Sequence, residues 1–252
     1  MESPGMKTLL EQLLTDVRAK LKHSLLSFND SQELVAALTN TVTNTLQSGL
    51  TRHSQATLVV SGGSTPIPLF NALAECNLNW ANVSVTLADE RWVDEHHADS
   101  NAQLVKKHLL QKKASTAKFY GLKTPPVDAD SGLDSCSKIL KQLPQPFDVV
   151  ILGMGNDGHT ASLFPNTPTL QEGLNPTTPK LCLSCQPITA PHQRITLTYP
   201  VLAYAKLVIL HIVGEDKLLT LQQALAAENQ ADMPIRAFLQ DPSINFVVYW
   251  SP

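Results

Sequence analysis

The spacing of hydrophobic positions changes along the chain. In the first fifty residues they recur every three or four positions, which predicts two amphipathic helices. Asp30 and Glu33 have the spacing of a capping box, so we expect the second helix to begin there. The apolar stripe of the first helix comprises Leu10, Leu13, Leu14, Val17, Leu21 and Leu25.

Beyond residue 55, short apolar runs alternate with helical patterns. The uninterrupted apolar runs are typical of a parallel sheet covered on both faces. Strands interleaved with helices predict an α/β doubly wound fold with a mainly parallel sheet. The predicted strands are Thr57–Val60, Val83–Ala88, Phe147–Leu152, Ile195–Thr198, Leu207–Val213 and Phe246–Trp250, and the predicted helices are Pro68–Ala74, Asn101–Lys112, Leu133–Leu143 and Asp216–Ala227.

No repeat, low-complexity tract or long linker divides the sequence, and the proline-rich segment from Asn166 to Pro179 is interpreted as a loop. We therefore expect a single domain spanning residues 1–252. Ligands of such folds bind at the carboxyl ends of the strands. The loops that follow the strands are accordingly where the chemistry is expected.

Composition narrows the class of protein. Of the 252 residues, 43% are hydrophobic and only 16% are charged, which excludes charge-driven disorder. The net charge of −3 argues against general nucleic-acid or polybasic membrane binding. The best apolar run, Leu207–Val213, is too short to span a bilayer, and four cysteines are too few for a disulfide scaffold. Without a targeting signal, we expect a cytoplasmic protein with reduced thiols and no membrane partner.

The loop after the first predicted strand is rich in glycine and hydroxyl groups. Backbone N–H groups at the start of a helix suit a bound anion, although an ordinary strand-to-helix turn uses the same residues. The candidate phosphate-binding residues here are Ser61, Gly62, Gly63, Ser64 and Thr65.

Charged residues follow the next predicted strand. In the run Asp89–Val93, Arg91 is either a phosphate clamp or half of a surface ion pair. The run Asp94–His97 contains potential metal ligands, but adjacent residues seldom converge on one ion. We interpret that run as a solvated loop and predict no metal site.

The loop Gly153–Pro165 contains the pattern G-x-G-x-x-G, but no long helix follows it and no acidic residue ends a second strand at the required distance. A dinucleotide site is therefore rejected. His159 and Asp157 instead suggest a general base and its orienting partner, the alternative being a turn with a capping aspartate.

Two cations lie near later strands, Arg194 and Lys217. Each alone is weak evidence, but both could meet Arg91 at one edge of the sheet. His192 is interpreted as part of a solvated turn. Cys182 and Cys185 have the spacing of a redox or zinc motif, yet on a strand they point to opposite faces, so we interpret them as packing residues.

The motifs SGGSTP, DERWV followed by Ser100-Asn101, GMGNDGHTASLFP, RITLT and GEDK occur in the order seen in the 6-phosphogluconolactonase family, which the chain resembles from about Val59 to Lys217. The resemblance implies a Rossmann-like α/β fold and cofactor-independent hydrolysis of 6-phospho-D-glucono-1,5-lactone to 6-phospho-D-gluconate in the pentose phosphate pathway. The phosphorylated sugar lactone is then the partner, and we expect a monomer or small homo-oligomer without nucleic acid.

Two rival functions use the same fold. Amino-sugar-phosphate deaminases carry an additional glutamate a few residues after the histidine, whereas here no acid follows His159 until Glu172. A sugar-phosphate-sensing regulator needs a DNA-binding module, but the first fifty residues carry four Lys or Arg against five Asp or Glu. We therefore favour the hydrolase, with backbone N–H groups of a glycine-rich loop as its oxyanion hole.

Overall fold

The computed structural model describes residues 4–188 and 190–252, so residues 1–3 and 189 are outside the description. The strands are β1 (Ser24–Ser27), β2 (Ala56–Val60), β3 (Val83–Leu87), β4 (Asp89–Arg91), β5 (Lys118–Tyr120), β6 (Val149–Leu152), β7 (Cys182–Cys185), β8 (Arg194–Leu197), β9 (Leu207–Val213) and β10 (Phe246–Ser251). The α-helices are α1 (Pro4–Lys20), α2 (Ser31–His53), α3 (Ile67–Ala74), α4 (Asn101–His108), α5 (Ala129–Leu140), α6 (Leu170–Leu174), α7 (Tyr199–Ala203), α8 (Glu215–Leu225) and α9 (Arg236–Gln240).

The main sheet has seven strands in the order β1-β10-β9-β6-β2-β3-β5. Every pairing in it is parallel. Its central strands β2 and β6 are buried at every position, which agrees with their uninterrupted apolar sequences. The predicted α/β fold with a mainly parallel, doubly wound sheet is confirmed.

The strand order reverses between β2 and β6. From β2 the chain proceeds to β3 and β5 on one side, and β6, β9 and β10 then extend the sheet on the other side. The loops that follow β2 and β6 therefore separate at the carboxyl edge, where open α/β sheets hold their ligands. These are the two glycine-rich loops of the sequence.

Helices pack in two groups around this sheet. Helix α2 contacts α3 and the strands β2, β6 and β10, whereas α8 contacts α1, α9 and β9. The core between the layers includes the fully buried side chains of Phe70, Phe147, Phe238 and Trp250. This packing fixes the strand ends from which the cleft is built.

A second, smaller sheet has the order β4-β8-β7 and is antiparallel. The predicted strand Ile195–Thr198 exists, as Arg194–Leu197, but it belongs to this sheet rather than to a parallel βαβ unit. Helix α5 packs on β7 and β8. The pairing of β4 with β8 is a contact between distant segments, which no local sequence pattern specifies.

The start of the chain differs from the expectation of two helices alone. Helix α1 ends at Lys20, and Leu25 lies on the short edge strand β1, which pairs with β10. A buried apolar position occurs in helices and in edge strands alike. Leu25 therefore fitted the three-and-four spacing although it lies beyond the end of the helix. The predicted start of α2 is confirmed, because Asp30 accepts hydrogen bonds from the backbone N–H groups of Gln32 and Glu33.

The other predicted helices are present with shifted ends. Helix α4 ends at His108 rather than Lys112, and α5 begins at Ala129, four residues before the predicted start. The segment interpreted as a loop contains the short helix α6. The described residues include no helix long and apolar enough to cross a membrane. All four cysteines are free.

Candidate active site

A cleft of about 240 Å³ lies at the carboxyl edge of the main sheet, beside the switch between β2 and β6. It brings together side chains and loops that are far apart in sequence. The predicted site residues that line it are Ser61, Gly62, Gly63, Thr65, Arg91, His159, Arg194 and Lys217. Asp157 is outside the lining but contacts His159, and Ser64 is exposed and outside the lining.

His159 is oriented by its own loop. Its ring Nδ1 is 2.5 Å from the Asp157 carboxylate, which also accepts the backbone N–H of His159 at 3.1 Å. The backbone N–H of Gly155 donates to the carbonyl of His159 at 2.9 Å. A side chain at position 155 would meet the imidazole ring, because an added Cβ would be 2.2 Å from Nδ1. Only glycine at position 155 leaves room for the His159 ring in this orientation.

The pKa of the Asp157 carboxylate depends on its burial and on its contacts with His159. Partial burial by itself raises the pKa of Asp157, but the hydrogen bond from the His159 ring, the charge of that ring and backbone N–H groups together hold the pKa below its ordinary value. Asp157 is therefore ionised at neutral pH. With Nδ1–H donating to this carboxylate, Nε2 is the ring nitrogen left to accept a proton.

Phe164 connects the histidine with one of the cations. Its ring stacks on His159 with centroids 4.1 Å apart, and the Arg194 guanidinium lies 5.5 Å from the centroid of the same phenyl ring. The stacking limits the orientations of both groups. The buried side chain of Phe164 therefore contacts both His159 and Arg194.

Arg91 and Arg194 are opposite each other in the β4–β8 ladder. Arg91 donates from Nη1 to the backbone carbonyl of Asp99 at 2.6 Å, and Arg194 donates from Nη2 to that of Pro191 at 3.3 Å. The Nε atoms of both arginines are buried without an acceptor among the described residues. Burial and the neighbouring Arg91 lower the pKa of Arg194, against the opposing attraction of Asp89. Two like charges with spare donors indicate a site for an anion.

The acidic residues of β4 are buried, so the interpretation of this run as a surface ion pair is wrong. Asp89 accepts a hydrogen bond from the Ser162 hydroxyl at 2.6 Å. Glu90 accepts hydrogen bonds from the backbone N–H groups of Arg91, Asn101 and Ala102. These bonds compensate its charge without an arginine partner. Burial still raises the pKa of Glu90 above its ordinary value. These bonds fix the strand that carries Arg91.

The loop after β2 packs closely on the start of α4. An added Cβ at Gly62 would be 1.8 Å from the Asn101 amide oxygen, so only glycine allows this approach. Ser61 donates from its hydroxyl to the carbonyl of Ile151 at 3.0 Å, which ties the loop to β6. Across the cleft, Lys217 donates to the side-chain oxygen of Asn156.

The sequence-based site left out several lining residues, among them Asn101 and His211. Asn101 donates a hydrogen bond from its side-chain amide to the backbone carbonyl of Asp89. In the sequence it belonged to the Ser100-Asn101 motif and was otherwise interpreted as the start of a helix. His211 on β9 is buried, and neither ring nitrogen has a hydrogen-bond partner among the described residues. Burial lowers the pKa of His211 to about 4, so the ring is neutral. The apolar sequence of β9 does not indicate that His211 lines the cleft without a hydrogen-bond partner in the described part of the chain.

Cys182 and Cys185 have different surroundings, as expected for opposite faces of a strand. Cys182 is 3.5 Å from the Ser137 hydroxyl and adjoins Cys136, whereas Cys185 is close enough to Arg194 to interact with its charge. The two thiols share no ligand position. Their interpretation as packing residues agrees with their burial.

Comparison with known proteins gives consistent matches. Residues 29–248 match the family model described as glucosamine-6-phosphate isomerases/6-phosphogluconolactonase. The 6-phosphogluconolactonase of Pseudomonas aeruginosa is 45% identical over 225 residues, which are 89% of this chain and 93% of that protein. The enzyme of the same name from Pseudomonas putida is 44% identical over 223 residues, 88% of this chain and 90% of that protein.

A solved structure agrees with the sequence matches. The crystal structure of a 6-phosphogluconolactonase from Shewanella baltica superposes with a TM-score of 0.88 at 44% identity, covering 91% of this chain and 98% of that one. The chain therefore belongs to the family of glucosamine-6-phosphate isomerases and 6-phosphogluconolactonases.

Proposed function

We propose that the chain hydrolyses 6-phospho-D-glucono-1,5-lactone to 6-phospho-D-gluconate, as the names of its relatives suggest. The observation that carries this proposal is that an aspartate-oriented histidine and a pair of arginines open onto one cleft. The phosphorylated lactone has a carbonyl at one end and a phosphate anion at the other. The reaction belongs to the oxidative branch of the pentose phosphate pathway.

The phosphate end of the substrate binds at the arginine pair. Arg91 and Arg194 each have donor capacity that the protein leaves unmet, and a phosphate dianion removes the repulsion between them. Lys217 and the loop Ser61–Thr65 contribute further donors to phosphate oxygens or sugar hydroxyls. Ser64 is the least favourable of these residues, because its side chain is exposed outside the cleft.

The carbonyl end of the substrate lies near His159. Nε2 removes a proton from water as the water oxygen bonds to the lactone carbonyl carbon, and the bond from that carbon to the ring oxygen then breaks. The imidazolium, stabilised by Asp157, returns the proton to the departing ring oxygen. Backbone N–H groups of the glycine-rich loops stabilise the oxyanion. Gly155 and Gly158 are not among these donors, since their N–H groups bond within the loop.

The family also contains isomerases that act on amino-sugar phosphates, but one observation argues against that activity here. Glu172, the first acid after His159, lies on α6 and accepts a hydrogen bond from the Thr178 hydroxyl. It does not line the cleft. We therefore expect no release of ammonia from glucosamine 6-phosphate.

Hydrolysis by this route uses no metal and no cofactor, because the imidazole supplies the proton transfers and the arginines supply the positive charge. Full activity after treatment with EDTA is the expected outcome. Loss of turnover on chelation, restored by one added metal, would contradict the metal-free mechanism.

The chain folds as one domain over residues 1–252, and it acts in the cytoplasm, which its four free cysteines favour. It works as a monomer or small homo-oligomer. It has no nucleic-acid or membrane partner, in keeping with its net charge of −3.

The direct test generates the 6-phospholactone enzymatically in situ and follows its disappearance by NMR against spontaneous hydrolysis. We expect rapid hydrolysis of the phosphorylated lactone and poor hydrolysis of gluconolactone that lacks the phosphate. Equal rates on both lactones would contradict the phosphate site, and no acceleration of either would contradict the proposed function.

A further inference from the structure

Three potential metal ligands converge beside the arginine pair. His97, Asp99 and His192 each offer a ligand atom, and these atoms all lie within 4.8 Å of one another. The Asp99 carboxylate is 3.0 Å from Nε2 of His192 and 3.7 Å from Nδ1 of His97. The two imidazole rings stand edge to face with centroids 5.2 Å apart. In the part of the chain that the structure describes, no other such group was found.

The donor set fits a transition-metal ion. Two imidazoles and one carboxylate are ligands that Zn²⁺ accepts, at about 2.0 to 2.2 Å from the metal in tetrahedral sites. Ligand atoms around such an ion are separated by roughly 3 to 4 Å, which the two measured separations match. Nitrogen ligands also favour Zn²⁺, Ni²⁺ or Cu²⁺ over Mg²⁺, which prefers oxygen.

The cluster is accessible to an ion from solvent. The exposed fractions of the three side chains are 45% for His97, 48% for Asp99 and 30% for His192. Two internal bonds would be exchanged on binding: the His192–Asp99 hydrogen bond and the bond from the Asp99 backbone N–H to Nδ1 of His97 at 3.1 Å. Three groups would remain as ligands, and water completes the coordination.

The ligands come from two loops that leave the same end of the β4–β8 pair. His97 and Asp99 lie between β4 and α4, and His192 lies just before β8. The arginines hold the same two loops, since Arg91 bonds the carbonyl of Asp99 and Arg194 that of Pro191. An ion at the cluster therefore connects the segments that position both guanidinium groups.

We propose that His97, Asp99 and His192 form a binding site for Zn²⁺ or a chemically similar transition-metal ion, which connects the two loops to which Arg91 and Arg194 are hydrogen-bonded. The ion takes no part in the hydrolysis. Binding of the ion does not depend on the proposed function. Only the effect of the ion on the arginines as a phosphate site rests on that function.

The test titrates Zn²⁺ into the full-length, metal-free protein by calorimetry, with Mg²⁺ as the comparison ion. We expect one Zn²⁺ per chain, no comparable Mg²⁺ binding, and Zn²⁺ affinity at least ~10-fold weaker in His192→Ala and in Asp99→Asn. His96→Ala is the matched control, because His96 is an exposed imidazole of the same loop outside the cluster. Its isotherm should equal that of the unaltered chain.

A thermal-shift measurement supplies a second readout. Saturating Zn²⁺ should raise Tm in the unaltered chain and in His96→Ala but not in His192→Ala. Absence of Zn²⁺ binding, or equal losses in His96→Ala and His192→Ala, would overturn the site. Failure of the metal-free protein to bind 6-phosphogluconate would instead count against the proposed function and leave the Zn²⁺ result unaffected.

Discussion

The two halves of the cleft are built in different ways. The His159 half is local, since Asp157, Gly155 and Phe164 lie within five residues of the histidine and fix its ring. The arginine half is long-range, because Arg91 and Arg194 are 103 positions apart in sequence and meet only through the pairing of β4 with β8.

The halves also differ in how their polar groups are paired. The Asp157 carboxylate contacts the ring and accepts the backbone N–H of His159, so the ring is oriented without a ligand. The arginine half retains two buried Nε donors that have no acceptor among the described residues, and a repulsive pair of charges. In the proposed mechanism, preorganisation of the first half favours turnover, whereas unmet donors in the second half favour ligand binding.

The largest effect is expected from His159→Asn. Removing the base should lower turnover at least ~100-fold while the variant folds and still binds 6-phosphogluconate, because the arginine half is untouched. Steady-state kinetics and calorimetry measure the two properties separately. Near-normal turnover would mean that the base is another group.

Arg194→Ala should act on the other half. Loss of a charge-assisted contact is expected to weaken binding of the phosphorylated substrate by roughly 1.5–3 kcal/mol, with Arg91→Ala in the same range. The kinetic effect should appear mainly in KM. Gluconolactone without phosphate is the control, since its hydrolysis should change far less; an equal change on both lactones would contradict the division between the halves.

His211 lines the same cleft and is a buried polar group with no hydrogen-bond partner among the described residues. Its pKa is about 4 in the folded chain and about 6.5 when unfolded, so the unfolded state binds more protons in between and stability falls as pH drops through that range. Between pH 7.5 and 5 the group should cost about 2 kcal/mol of unfolding free energy.

Urea unfolding at both pH values measures this loss, and His211→Leu is the matched variant. The difference in unfolding free energy between pH 7.5 and pH 5 should be smaller in the variant by that amount. An equal pH dependence in both proteins would show that the ring is protonated or hydrogen-bonded in the folded chain.

Asp157→Asn should have the smallest effect. The amide keeps a hydrogen bond to the ring but loses the charge that stabilises imidazolium, so we expect about a 10-fold loss of turnover, less than in His159→Asn. The pH–rate profile should also shift, because the carboxylate no longer favours the protonated ring. A loss as large as that of His159→Asn would indicate that Asp157 itself takes part in proton transfer.

Local patterns account for what the sequence predicted correctly. The apolar runs of β2, β6 and β9 specified buried parallel strands, and the glycine-rich loop specified the His159–Asp157 pair within a few residues. The edge strand β1 was missed, because a four-residue segment carries too little periodicity to distinguish strand from helix. The short strand β4 was missed because its acidic residues resemble a solvated turn.

Local sequence patterns predicted the fold class, the strand-end loops and the Asp157–His159 pair, since each depends on neighbours within one turn or one strand. Only the tertiary structure decided that Arg91 faces Arg194 and that His192 joins His97 and Asp99. The tertiary structure also places His211 in the lining of the cleft, where the described residues offer its ring no hydrogen-bond partner. These contacts depend on which strands pair and on the path of each loop. Neither can be derived from the spacing of residues along the chain, because the segments that meet are far apart in sequence.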